Sequence, residues 1–259
     1  MSNKNAWEED DIVEYYTQLN SLQPPEITVL SLLRDDLSGT HMLDIGVGAG
    51  RTTPYFAGLV KEYVGIDYSE KMISKCRERF SGAPGNIAFH VCDVRSMAMF
   101  DDNRFDLVWF SFNGLDNMPH HDRLVALKEI YRIATPGGYF CFSTHNLQYI
   151  NQLGVREQLT FKPGALFKRI SEWIKLSFVY NNPFQILKLM SSSHAFINDG
   201  AHGYRLKQYY ITPPEQLKQL DGYFENVRLF LSDGSEVQNG YELSKINDWW
   251  IYYFCNARK

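Results

Sequence analysis

The chain has 259 residues, 44% of them hydrophobic and 22% charged, values of an ordinary globular protein that set aside collagen-like, disordered and coiled-coil classes. Its 26 basic and 30 acidic side chains leave a formal net charge of −4, without the overall positive field of a protein that grips nucleic acid through its phosphates. The apolar runs from Phe105 to Phe112 and from Trp249 to Phe254 are far shorter than the ~20 residues that cross a bilayer, and the polar, acidic start from Met1 to Asp11 is unlike a signal or transit peptide.

These features predict a soluble, cytoplasmic protein built as one large α/β domain with an insertion. Cys76, Cys92, Cys141 and Cys255 are scattered without the spacing of a metal site, so they read as reduced thiols and no metal is expected.

Trp7 to Leu19 carries Ile12, Val13, Tyr16 and Leu19 at close to helical spacing and stops before Pro24-Pro25. A second helix is predicted from Glu26 to about Leu37, with Gly39 as its stop. Strands at His41 to Ile45, Tyr63 to Ile66, Ile87 to Val91, Phe105 to Phe110 and Tyr139 to Ser143 then alternate with helices at Thr52 to Leu59, Ser69 to Phe80 and His120 to Ile133. That order predicts a mostly parallel sheet covered on both faces.

The alternation stops near residue 147. Up to Arg205 the pattern shows helix-like pieces (Gly164 to Leu176, Pro183 to Met190) and no clear strand. Seven cations (Arg156, Lys162, Lys168, Arg169, Lys175, Lys188, Arg205) face three carboxylates (Glu157, Glu172, Asp199), which gives this stretch a charge of +4. The end resumes the earlier pattern: Leu206 to Ile211, a helix opened by Pro213-Pro214, then Val227 to Leu231 and Trp249 to Cys255 as an antiparallel pair. The expected organisation is N-terminal helices over a ligand site (1–39), a nucleotide-type core (40–146), a mostly helical lid (147–205) and the remainder of the core sheet (206–259).

The segment Met42-Leu43-Asp44-Ile45-Gly46-Val47-Gly48-Ala49-Gly50 runs an apolar strand into three alternate glycines before a helix. Glycine there permits positive φ and close backbone approach to a ligand. The dinucleotide fingerprint wants Gly or Ala three residues after Gly48, where this chain has Arg51. Asp44 would also repel a pyrophosphate while favouring a ligand end that carries an ammonium or sulfonium. Asp67 ends the second strand, where a carboxylate accepts from ribose hydroxyls, and Asp93 in Cys92-Asp93-Val94 ends the third, where it can accept from an adenine amino group.

Taken together with Phe105-Asp106-Leu107-Val108 and Ile130-Tyr131-Arg132-Ile133-Ala134-Thr135-Pro136-Gly137-Gly138, these motifs resemble the class I S-adenosylmethionine-dependent methyltransferases over about residues 40 to 145. The family's usual turn before the fifth strand has lysine where this chain has Thr135. The resemblance implies a Rossmann-like seven-stranded sheet, mostly parallel with an antiparallel last strand and helices on both faces. It also implies that S-adenosylmethionine is the cofactor, with Gly46, Gly48 and Gly50 on its methionine part, Asp67 on the ribose, Asp93 and Val94 on the adenine, and Tyr68 and Met72 flanking that ring. Tyr16, with Tyr15 as substitute, would reach the cofactor from the N-terminal helix.

Residues beyond the fourth and fifth strands are placed for the acceptor. Asn113 would orient it or contact the cofactor's amino group, and His145, with an ordinary pKa of about 6.5, would serve as general base. Tyr15, His194 and His202 are the acceptor-side candidates from the N-terminal helix and the insertion, while His120 and His121 read as helix-start residues. No D/N/S-P-P-Y/F motif for base or glutamine methylation follows the fourth strand, since Asn113 precedes Gly114-Leu115. The expectation is a methyltransferase acting by in-line displacement on O or N of a small metabolite, with the basic insertion pointing to an anionic one. It would work as a monomer or homodimer, without nucleic acid or membrane. The competing readings are an RNA or protein methyltransferase and a non-catalytic cofactor-binding partner protein.

Overall fold

The computed structural model describes residues 3–83, 85–149, 179–181, 188–238 and 240–259. The apolar runs of the first half form five parallel strands, β1 (His41–Ile45), β2 (Glu62–Asp67), β3 (Ile87–Val91), β4 (Phe105–Phe110) and β5 (Ala134–Asn146), in the spatial order β3-β2-β1-β4-β5. Four more strands follow: β6 (His194–Ile197), β7 (Gln208–Ile211), β8 (Phe224–Phe230) and β9 (Trp250–Ala257). β9 runs antiparallel to β5 from Tyr139↔Asn256 to His145↔Trp250, and antiparallel to β8 on its other side. The path β3-β2-β1-β4-β5-β9-β8 is the expected seven-stranded sheet with an antiparallel last strand.

The hairpin β6–β7 is an addition to that path and corrects the expectation that 147–205 holds no strand. β7 pairs parallel with His145 and Asn146 of β5. Because β9 occupies one edge of β5 as far as His145, β7 takes the edge that β4 leaves after Phe110↔Phe142. The helix-like piece Gly164 to Leu176 lies outside the described residues, as does most of Pro183 to Met190.

Strand parity sorts the core into two layers. Leu43, Ile45, Val64, Ile66, Val108 and Phe110 face one side, against Ala126, Leu127 and Ile130 of α6 (His120–Ile133). Met42, Tyr63, Leu107 and Trp109 face the other. There they meet Val29 and Leu33 of α3 (Pro24–Leu33), Phe56 of α4 (Thr53–Phe56), and Ile73 and Cys76 of α5 (Glu70–Arg79). A last helix, α7 (Pro213–Leu220), adds Leu220 to the first layer.

Several boundaries differ from expectation for local reasons. The helix expected from Trp7 starts only at Asp10, as α2 (Asp10–Gln18), after a separate short helix, α1 (Asn3–Ala6), that ends before Trp7. Pro24-Pro25 open α3 instead of preceding it, since the first helical turn needs no N–H donors, and Gln23 and Glu26 close a capping box around them. Three of the four cysteines are buried, and all four are free thiols. Among the described residues, no helix is long and apolar enough to cross a membrane and no cluster of side chains is arranged to hold a metal.

Candidate active site

Loops at the carboxyl ends of the parallel strands converge on one side of the sheet, where an open α/β fold leaves a crevice. A cavity of about 430 Å³ opens there. One wall is made by Gly46 and Gly48 after β1, Asp67, Tyr68 and Met72 around the end of β2, and Cys92 to Arg95 after β3. The opposite wall comes from Phe110 to Phe112 and Asn117 at the end of β4, with Asn3, Trp7 and Tyr16 from the N-terminal segment, Phe196 of β6, and Lys207 just before β7.

Gly46 and Gly48 both adopt left-handed φ, +62° and +56°. A Cβ on Gly46 would lie 2.9 Å from the Phe110 ring, whereas one on Gly48 would meet nothing within 4 Å. The loop therefore needs glycine at 46 for space and angle, and at 48 for angle alone. Gly50, expected beside them, packs against Phe80 and does not line the cavity. It shapes the loop from behind.

Asp44 is also corrected. It shares strand parity with Met42, so its side chain enters the layer of α3 to α5 and not the mouth of the loop. The hydroxyls of Tyr63, at 2.5 Å, and of Thr52 donate to its carboxylate. Burial lifts its pKa to about 6 against the pull of those two donors.

The carboxylate that stands beside the loop is Asp67. Its Oδ2 accepts the Gly48 N–H at 3.1 Å and its Oδ1 the Ser69 N–H at 2.9 Å, while burial raises its pKa to about 6. Helix α5 does not need Asp67 as a cap, because Ser69 Oγ accepts from Met72 N–H. A phosphate at this loop would have to displace a carboxylate from the Gly48 N–H. A cation or a neutral hydroxyl would not.

After β3, Asp93 and Val94 line the cavity, and the Asp93 carboxylate is gripped by Arg95, which also reaches Asp122 at 2.5 Å. Tyr16 lines the cavity with its hydroxyl 3.5 Å from His202 Nε2. His202 thus backs Tyr16 and does not itself wall the cavity. Burial, with help from Arg205, lowers the His202 pKa. Tyr15 is exposed, and His194 stacks on His120 at 4.1 Å, away from the cavity wall. None of the three acceptor-side candidates lines the cavity.

Asn113 and His145 are brought together, with Asn113 Nδ2 3.3 Å from His145 Nε2, but both stand behind the wall formed by Phe112 and Gly114. Of the wall and support residues that the sequence did not point to, three stand out. Trp7 lines the cavity and keeps a buried indole N–H with no partner among the described residues, an orphan donor of the kind a ligand satisfies. Lys207 stands at the rim. Arg51, singled out only as a mismatch to another motif, makes a bidentate pair with fully buried Glu26 of α3, both contacts at 2.6 Å, and lies 4.7 Å over the Phe112 ring. It ties the glycine loop to α3 and to the opposite cavity wall.

A family model described as a methyltransferase domain matches residues 42–138. A demethylmenaquinone methyltransferase of Staphylococcus aureus is 35% identical over 172 residues, which cover 62% of this chain and 69% of that protein. Among solved structures, the CcbJ methyltransferase from Streptomyces caelestis shares the fold (TM-score 0.62, 16% identity, 100% of both chains). So does the 1,6-didemethyltoxoflavin-N1-methyltransferase of Burkholderia thailandensis, solved with 1,6-didemethyltoxoflavin and S-adenosylhomocysteine (TM-score 0.59, 15% identity, 98% of this chain and 89% of that one). With the glycine loop, the Asp67 carboxylate and the seven-stranded path already in place, the chain belongs to the class I S-adenosylmethionine-dependent methyltransferases.

Proposed function

We propose that the enzyme methylates an oxygen or nitrogen atom of a small anionic metabolite that enters beside Lys207. When bound, S-adenosylmethionine supplies a methyl carbon on a cationic sulfur that a lone pair displaces in line, so the protein's task is alignment and exclusion of water. Asp67 would accept from the ribose hydroxyls, Tyr68 and Met72 would flank the adenine next to Asp93 and Val94, and the orphan indole N–H of Trp7 offers a further donor. The acceptor then faces the remaining wall of Phe112, Phe196, Asn117 and Lys207.

Lys207 carries the anionic assignment. It has no ion-pair partner among the described residues, and Asn3 clamps its backbone, donating from Nδ2 to Lys207 O at 2.8 Å and accepting from Lys207 N–H at 3.1 Å. The same amide also donates to Asn117 O. A cation held beside Phe112, Phe196 and Asn117 favours a carboxylate or phenolate on the incoming molecule. Arg205, one of the insertion's basic residues, is by contrast already paired with Glu9 and Asp11 of the N-terminal segment. Neither relative named for an acceptor, demethylmenaquinone or 1,6-didemethyltoxoflavin, bears the name of a nucleic acid or a protein. A cytoplasmic monomer or homodimer, acting without nucleic acid or membrane, is part of this reading.

The test is formation of S-adenosylhomocysteine from S-adenosylmethionine with a panel of phenols, aryl carboxylates, N-heterocycles and quinols. Anionic members should turn over, and Lys207→Met should raise KM for them about fivefold, the size of one exposed charge pair, with kcat within about twofold. Preference for neutral acceptors, or turnover only with RNA or protein, would overturn the assignment.

A further inference from the structure

We infer that His145 is a positioning residue that holds the Asn113 turn against the cofactor cavity, and that it is not the base for the methyl acceptor; this rests on the methyltransferase reading above. The turn after β4 places two successive non-glycine residues, Phe112 (φ 55°) and Asn113 (φ 58°), in the left-handed region. Such backbone persists only where its surroundings over-determine it. Phe112 and Gly114, on either side of Asn113, both wall the cavity, and a Cβ on Gly114 would collide with the same Phe110 ring that lies against Gly46. A shift of this turn therefore reaches the cofactor loop directly.

Several hydrogen bonds hold the turn, three of them central. Asn113 N–H donates to Ser143 Oγ at 2.7 Å, Asp116 N–H donates to Asn113 O at 3.0 Å, and Asn113 Nδ2 meets His145 Nε2 at 3.3 Å. The imidazole is held on its other side by Asp116. Asp116 Oδ2 takes the His145 backbone N–H at 2.7 Å and Nδ1 at 2.8 Å, while its Oδ1 takes Arg123 Nη1 at 2.7 Å and the Thr144 hydroxyl at 2.6 Å. A carboxylate accepts only, so Nδ1 carries a proton, and in the neutral ring Nε2 is the acceptor.

In that ring Nε2 accepts from the Asn113 amide. In the imidazolium, Nε2–H would instead donate to Oδ1 of the turned amide, an atom with no partner in its present orientation among the described residues. The Nε2 atom is thus engaged by the protein, on a ring that does not wall the cavity, and is not placed to take a proton from an acceptor. Asp116 is in turn locked by Arg123, which is fully buried and also donates to Gln216 and Gln219 on α7 and its end. The chain from Arg123 through Asp116 and His145 to Asn113 fixes the turn from α6 and α7.

The probe is S-adenosylhomocysteine alone, titrated calorimetrically into His145→Phe, His145→Gln, Asn113→Ala, the Phe/Ala double variant and wild type. His145→Phe and Asn113→Ala should each weaken binding about tenfold, and the double variant should bind within about twofold of Asn113→Ala, because His145 acts through Asn113. Glutamine can donate to Asp116 and accept from Asn113, so His145→Gln should stay within about threefold of wild type. Undiminished binding by His145→Phe, or losses that multiply in the double variant, would overturn the inference. So would variants whose melting temperature falls while their affinity holds. Wild type without binding would refute the methyltransferase reading itself, a separate outcome.

Discussion

Replacing Asp67 with asparagine removes one charge from the cavity and keeps the shape of the side chain. In the native loop both carboxylate oxygens are in use, Oδ2 by Gly48 N–H and Oδ1 by Ser69 N–H, and each still has lone pairs for a ribose hydroxyl. Asparagine offers one oxygen and turns an NH₂ toward an N–H donor. Losing one hydrogen bond to a charged group removes about 1.5–3 kcal/mol, so the Kd for S-adenosylhomocysteine should rise roughly 10- to 150-fold at pH 8. The pH dependence carries its own sign. Burial raises the Asp67 pKa to about 6, so the free protein takes up this proton as pH falls through 6, while hydroxyl donors on the ligand favour the ionised form. Wild-type affinity should be full above pH 7 and fall below pH 6 toward about tenfold per pH unit. The Asp67→Asn variant should lack that limb, apart from any slope due to Asp44, whose pKa is also about 6. Isothermal titration from pH 5 to 8 reads both effects. A variant within twofold of wild type at pH 8, or wild-type affinity flat across the range, would refute the placement of the ribose on Asp67.

Arg51→Met should leave Glu26 buried without its cation and cost about 3–5 kcal/mol in urea unfolding; a loss under 1 kcal/mol would show that the pair does not anchor the loop. Gly46→Ala places a side chain at φ +62° and within 2.9 Å of the Phe110 ring. It should weaken S-adenosylhomocysteine binding at least about tenfold, with a stability loss of ~1–2 kcal/mol, and unchanged affinity by calorimetry would contradict the loop's role.

The parallel half of the fold is legible because strands buried on both faces carry continuous apolar runs, and β1, β3, β4 and α6 lie where those runs predict. The hairpin strand β6 is not. Its four residues, His194 to Ile197, are mostly half-buried and follow a serine run, too short for a period-two signal. At the site, strand-end residues such as Asp67, Asp93 and Val94 follow from where a parallel sheet opens. The direction of Asp44 was also available, since alternation along β1 puts it with Met42 and away from Leu43 and Ile45. Arg51 with Glu26, and Asn3 with Lys207, lie 25 and 204 residues apart. No local pattern announces such pairs, because only the closure of the N-terminal segment over the sheet brings them together.

A crystal structure with S-adenosylhomocysteine measures directly which cavity wall holds the cofactor. The predicted density places the ribose on the Asp67 carboxylate, with the sulfur between the Gly46 turn and Phe112. A nucleoside bound elsewhere, or an Asp44 carboxylate turned out to meet the ligand, would contradict it.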